Sequence, residues 1–185
     1  MTGTTQMLEH KFAGFGGDVT VADGRVIEGY ASVFGKVDQG GDIVEPGAYG
    51  KALERLKARG GSVKMLWQHD PAEPIGVWDE VREDARGLYV KGRLLTDVAR
   101  AREAAALIAA GAIDGLSIGY RTLKSTKDGS GRRLLSELEL WEVSLVTFPM
   151  LPDARVGAKG ESPEAALLRD MAAVVDEARR ILARD

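Results

Sequence analysis

The chain has no cysteine. That absence removes a disulfide framework, a thiolate metal site and a cysteine nucleophile together, and it fits a reducing compartment. No apolar run approaches the roughly 20 residues that a membrane span requires. The opening stretch MTGTTQMLEHKF also lacks the basic and apolar regions of a signal peptide. A soluble intracellular protein with no membrane partner is expected. Charge of one sign is lacking as well: a formal net charge of −3 without a basic patch gives no general attraction to nucleic acid. No metal or other cofactor is expected.

Histidine is scarce too, and its positions exclude one reading. The stretch GLSIG, from Gly115 to Gly119, has the G-x-S-x-G spacing of the α/β-hydrolase nucleophile elbow. In those enzymes the triad runs serine, acid, histidine along the chain. Here the two histidines, His10 and His69, both precede Ser117. A helix-like Ala-rich run also stands before the serine, where an elbow needs a strand. The elbow reading fails, and the role of Ser117 stays open.

At 185 residues, with 44% hydrophobic and 29% charged residues, the chain suits one soluble globular domain. VIEGYASVF reads as a strand, followed by the Gly- and Pro-containing loop VDQGGDIVEPGAY. In AYGKALERLKARGG the residues Ala48, Ala52, Leu53 and Leu56 recur at helical spacing, and Gly60 and Gly61 stop the helix. SVKMLWQH reads as a strand with Val63, Met65, Trp67 and His69 on one face. IGVWDEVRED and RGLYVKGRLL form a hairpin through EDARG. TDVARAREAAALIAAG is a second helix, with Thr96 or Asp97 as N-cap and Gly111 as stop. Leu116 to Leu123 is a strand with Leu116, Ile118 and Tyr120 on one face and Ser117 on the other. KDGSG turns it into a run ending at LWEVSLVTFP.

Residues 1–24 are expected to form an N-terminal extension, 25–156 the main domain, 157–163 a linker, and 164–185 an amphipathic C-terminal helix. Six or seven strands with three helices, in no regular βαβ order, point to a β-rich barrel or α+β fold.

Chemistry concentrates in three residues. A serine hydroxyl is a weak nucleophile and needs a neutral imidazole within reach; Ser117 and His69 supply the two types. The imidazole benefits from a third group that fixes its tautomer. Glu142 is a candidate because it stands inside the apolar run LWEVSLV, where a carboxylate either faces outward or has a specific partner. Glu137 and Glu139, in the more polar SELEL segment, are alternatives.

The ordered stretches EGYASVFGKVDQGGDIVEPGAY, LWQHDPAEPIG, GAIDGLSIGY and LWEVSLVTFPMLPDARV resemble the phage prohead (capsid maturation) protease family, related in fold to the herpesvirus maturation proteases. The resemblance covers about residues 25 to 156. It implies a herpesvirus-protease-like β-barrel surrounded by helices. It further implies a serine endopeptidase with His69 as general base, Ser117 as nucleophile and Glu142 as third member. The substrates it implies are the major capsid protein and scaffold, and the chain itself, inside the immature capsid in the host cytoplasm; a homodimer is also suggested. No adjacent arginine pair follows Glu142 to build an oxyanion site, which leaves Arg155 or, preferably, backbone N–H groups after Thr147 for that task. The alternative is a catalytically inactive assembly or scaffolding factor of the same fold.

Overall fold

The computed structural model describes residues 9–13, 19–22, 25–38, 40–147 and 156–158, with side chains described for 25–38 and 40–147. Ten strands and two helices follow one another as β1 (Glu9–Ala13), β2 (Val19–Ala22), β3 (Val26–Val33), β4 (Ile43–Val44), α1 (Gly50–Ala58), β5 (Lys64–Trp67), β6 (Asp70–Glu83), β7 (Gly87–Leu94), α2 (Ala99–Ala109), β8 (Gly115–Lys127), β9 (Arg133–Val146) and β10 (Val156–Ala158). The ten strands belong to one sheet in the order β1-β8-β9-β5-β6-β7-β3-β2-β10, with β4 attached to β9. β3 also approaches β1 and β8, so the sheet curls into an open half-barrel.

The strand count exceeds the expected six or seven because β1, β2, β4 and β10 are short, five residues at most. Such pieces carry too few residues for a period-2 pattern to stand out. β1 and β2 lie ahead of the expected domain start at residue 25 and pair with β8 and β3. The expected third helix, 164–185, lies outside the described residues, as does most of the linker.

The longer elements follow their sequence patterns. Leu88, Val90 and Leu94 of β7 bury every second side chain with Gly92 between them. β8 and β9 form the longest hairpin, and Leu116, Ile118, Val143 and Leu145 face the core beside Met65 of β5. In α1 the chain leaves the helix through Gly60 at φ 65°, and the Gly61 N–H reaches back to the Leu56 carbonyl. The N-terminus of α1 is capped from outside: the Glu83 carboxylate of β6 accepts the N–H groups of Gly47 and Tyr49. α2 starts later than its sequence suggests. Its N-cap is Val98, with no side-chain cap, because a turn closed by Val98 N–H on the Leu95 carbonyl takes up Thr96 and Asp97.

Candidate active site

β8, β9 and β5 lie side by side, and their register decides which residues share a face. Ser117 is opposite Ser144 and Gly119 opposite Glu142 in the antiparallel β8–β9 pair. In the parallel β9–β5 pair Glu142 is beside Lys64 and Ser144 beside Leu66. Alternation therefore sends Ser117, Glu142 and Ser144 to the face opposite Ile118, Val143 and Met65. Ser117 and Ser144 have no exposed surface, and Glu142 is 4% exposed.

His69 reaches this face by a route the sequence pattern did not suggest. β5 ends at Trp67, which pairs with Asp70, and Gln68 and His69 form the two-residue turn between β5 and β6. Both have positive φ, 52° and 63°. A hairpin turn with two such residues normally holds Asn-Gly, and each non-glycine residue there costs on the order of 1–2 kcal/mol. The expectation that His69 continues the Met65–Trp67 face is therefore corrected: two left-handed residues break the alternation and redirect its ring. Strain of this kind persists where the surroundings over-determine it. Here the Gln68 N–H donates to the Leu145 carbonyl at 2.9 Å, and the Gln68 amide donates to Thr147 Oγ1 at 2.6 Å. The turn is thereby stapled to the end of β9.

The redirected ring meets Glu142, with His69 Nδ1 2.5 Å from Oε1. The two side chains are 13% and 5% exposed. An ionised carboxylate can only accept, so in this contact the imidazole donates from Nδ1. The other Glu142 oxygen accepts the hydroxyl proton of Ser144. The buried carboxylate thus has a partner on each oxygen, which is what makes its burial tolerable.

Of the residues singled out in the sequence, His69 and Glu142 are in direct contact, and strand register brings Ser117 to the same face, two residues along β8 from Glu142's partner Gly119. Glu137 and Glu139 are engaged elsewhere. Glu137 bonds to Lys124 and Arg55 and lies near Lys51; Lys124 foremost holds its carboxyl below the usual range. Glu139 pairs with Arg121. Residues 148–155, with Arg155 and the backbone expected to bind an oxyanion, lie outside the described residues. Among the described residues no group of His, Cys, Asp and Glu could hold a metal ion. Sequence reading missed Gln68, Ser144 and Gly119. The spacing E-x-S in LWEVSLV did carry a signal, since strand alternation puts Glu142 and Ser144 on one face.

Residues 18–168 match the family described as caudovirus prohead serine protease. The chain is 35% identical over 149 residues to the prohead protease of Enterobacteria phage HK97, covering 79% of this chain and 65% of that protein. It is 34% identical over 143 residues to the capsid polyprotein of Pseudomonas phage PAJU2, covering 71% of this chain and 20% of that one. It therefore spans just under two thirds of the first relative and a fifth of the second. The solved structure of the bacteriophage T4 capsid assembly protease has the same fold, with a TM-score of 0.61 at 18% identity, covering 75% of this chain and 96% of that one.

Proposed function

Because the chain belongs to the caudovirus prohead serine protease family, we propose that it is a serine endopeptidase that cleaves capsid and scaffold proteins, and itself, during prohead maturation. On this reading it works inside the immature capsid in the host cytoplasm. Ser117 is the nucleophile, His69 the general base and Glu142 the residue that orients the imidazole. The herpesvirus maturation proteases are the wider fold group to which the reading assigns it.

The observation that carries the chemistry is the buried Nδ1–Oε1 contact of His69 with Glu142, on the same sheet face as Ser117. With Nδ1–H held by Glu142, Nε2 is free of a proton and able to take one. Ser117 Oγ forms a bond to the scissile carbonyl carbon while its proton moves to Nε2. The same proton passes to the leaving amine as the C–N bond breaks. Water then attacks the acyl-enzyme, gives its proton to Nε2, and releases the new carboxyl end as Ser117 recovers its hydrogen. Glu142 stays ionised throughout and stabilises the imidazolium formed in each half.

A fluorophosphonate probe tests the assignment. Labelling of the full chain on Ser117, lost in Ser117→Ala, is expected. A folded chain that takes no label under conditions where the cognate capsid protein is processed would contradict it, and an inactive assembly factor would take none and process nothing.

A further inference from the structure

The carboxylate of Glu142 has to hold one orientation for the His69 tautomer to be fixed, although the terminal torsion of a glutamate is broad. Two neighbours restrict it. The first is Ser144, wholly buried, whose hydroxyl donates to Oε2 while Oε1 meets His69. The second is Gly119. A Cβ built at Gly119 would stand 2.1 Å from Glu142 Oε1, 2.7 Å from Cδ and 2.9 Å from Cγ. The carboxylate therefore lies in the space that any other residue at 119 would fill, and the oxygen most obstructed is the one bonded to His69.

Resting on the reading of Ser117, His69 and Glu142 given above, we infer that Gly119 and Ser144 are positioning residues for the cleavage reaction: Gly119 leaves room for the carboxylate over β8, and Ser144 pins its second oxygen. Neither meets substrate. The second glycine of G-x-S-x-G thus has its own cause in this fold. It is the floor of the third catalytic group, whereas in a nucleophile elbow the glycines serve a sharp strand-to-helix turn.

The test uses the full chain carrying Gly119→Ala, Ser144→Ala or Ser144→Thr, the last keeping the hydroxyl on a β-branched side chain suited to a strand. Fluorophosphonate labelling rates, and kcat and KM on a peptide from the cognate capsid protein, are measured beside unfolding midpoints. Gly119→Ala should lower the labelling rate about a hundredfold or more, the scale of a misplaced catalytic group. Ser144→Ala should lower it about tenfold, the loss of one hydrogen bond to a charged group. KM should not move, and Ser144→Thr should recover most of the rate. In a Ser117→Ala background, the far-downfield proton resonance of the His69 Nδ1–H should shift or vanish with either Gly119→Ala or Ser144→Ala. That readout needs no activity, and Ser144→Ala, the smallest excision, decides the matter if the other variants fail to fold. Folded Ser144→Ala that labels at the parent rate with the resonance unchanged overturns the inference. So does a rate loss that follows the unfolding midpoint and leaves the resonance in place. Labelling that survives Ser117→Ala would instead overturn the assignment of the nucleophile.

Discussion

Two turns of this sheet are built on opposite principles. The turn from Asp128 to Arg132, joining β8 to β9, uses residues that suit it. Asp128 accepts the N–H groups of Ser130 and Arg132 as well as the Arg132 guanidinium, and Gly131 takes the positive φ of 82°. The Arg132 side chain foremost holds the Asp128 carboxyl below its ordinary range. The turn from Trp67 to Asp70 puts Gln68 and His69 where glycine or asparagine would be at ease. One turn is optimised for its own conformation, and the other is held in a costly one by Leu145 of β9 and Thr147 just beyond it. Strain is retained where it aims an imidazole at a buried carboxylate.

His69→Ala should reduce cleavage close to the uncatalysed level, and adding Ser117→Ala should make it no worse, since both disable one step. Glu142→Gln should cost tens to thousands of fold in kcat, because the Nδ1–H loses its charged acceptor but the nucleophile remains. Glu137→Gln and Glu139→Gln, whose parents pair with surface cations, should leave kcat nearly unchanged. Peptide kinetics on variants shown to fold will check all of these, and a folded Glu142→Gln at the wild-type rate would remove Glu142 from the mechanism.

A double dissociation between the turns is the sharper test. Gln68→Gly relieves a left-handed residue but gives up the bond to Thr147. It should lower kcat by roughly tenfold, the scale of one or two lost positioning bonds, while changing stability little. Gly131→Ala meets no steric neighbour, so only its φ is strained; it should cost about 1 kcal/mol of stability and no activity. Activity and denaturant unfolding, measured on both, should move in opposite columns.

A third turn, Asp84 to Gly87 between β6 and β7, responds to pH. Burial pushes the Asp84 carboxyl up, but the N–H of Arg86, the Tyr30 hydroxyl, Arg82 and the N–H of Gly87 together outweigh it and lower its pKa to about 2. A carboxyl depressed from 3.8 stabilises the fold above that value, and the contribution is lost as pH falls towards 2. Asp84→Asn should therefore destabilise at neutral pH by about 1 kcal/mol, after allowance for solvent screening. The difference from wild type should close in acid, as read by urea midpoints against pH.

β7 and α2 were legible because each buries a regular stripe: Leu88, Val90 and Leu94 in β7, Ala101, Ala104 and Ile108 in α2. Glu142 was legible for the opposite reason, as a charge where the pattern allows none. The turn at Gln68–His69 was not, since neither residue is a turn former and its geometry comes from tertiary bonds to β9. Gly119 was hidden likewise: its meaning depends on which β9 residue stands opposite, and cross-strand register is not written in either strand alone.

Whether Ser117 cuts protein chains is read by mass spectrometry of the cognate capsid protein after co-expression with this chain. A shortened capsid protein with the wild-type chain and a full-length capsid protein with Ser117→Ala are expected. Identical shortened masses with both would contradict cleavage by Ser117.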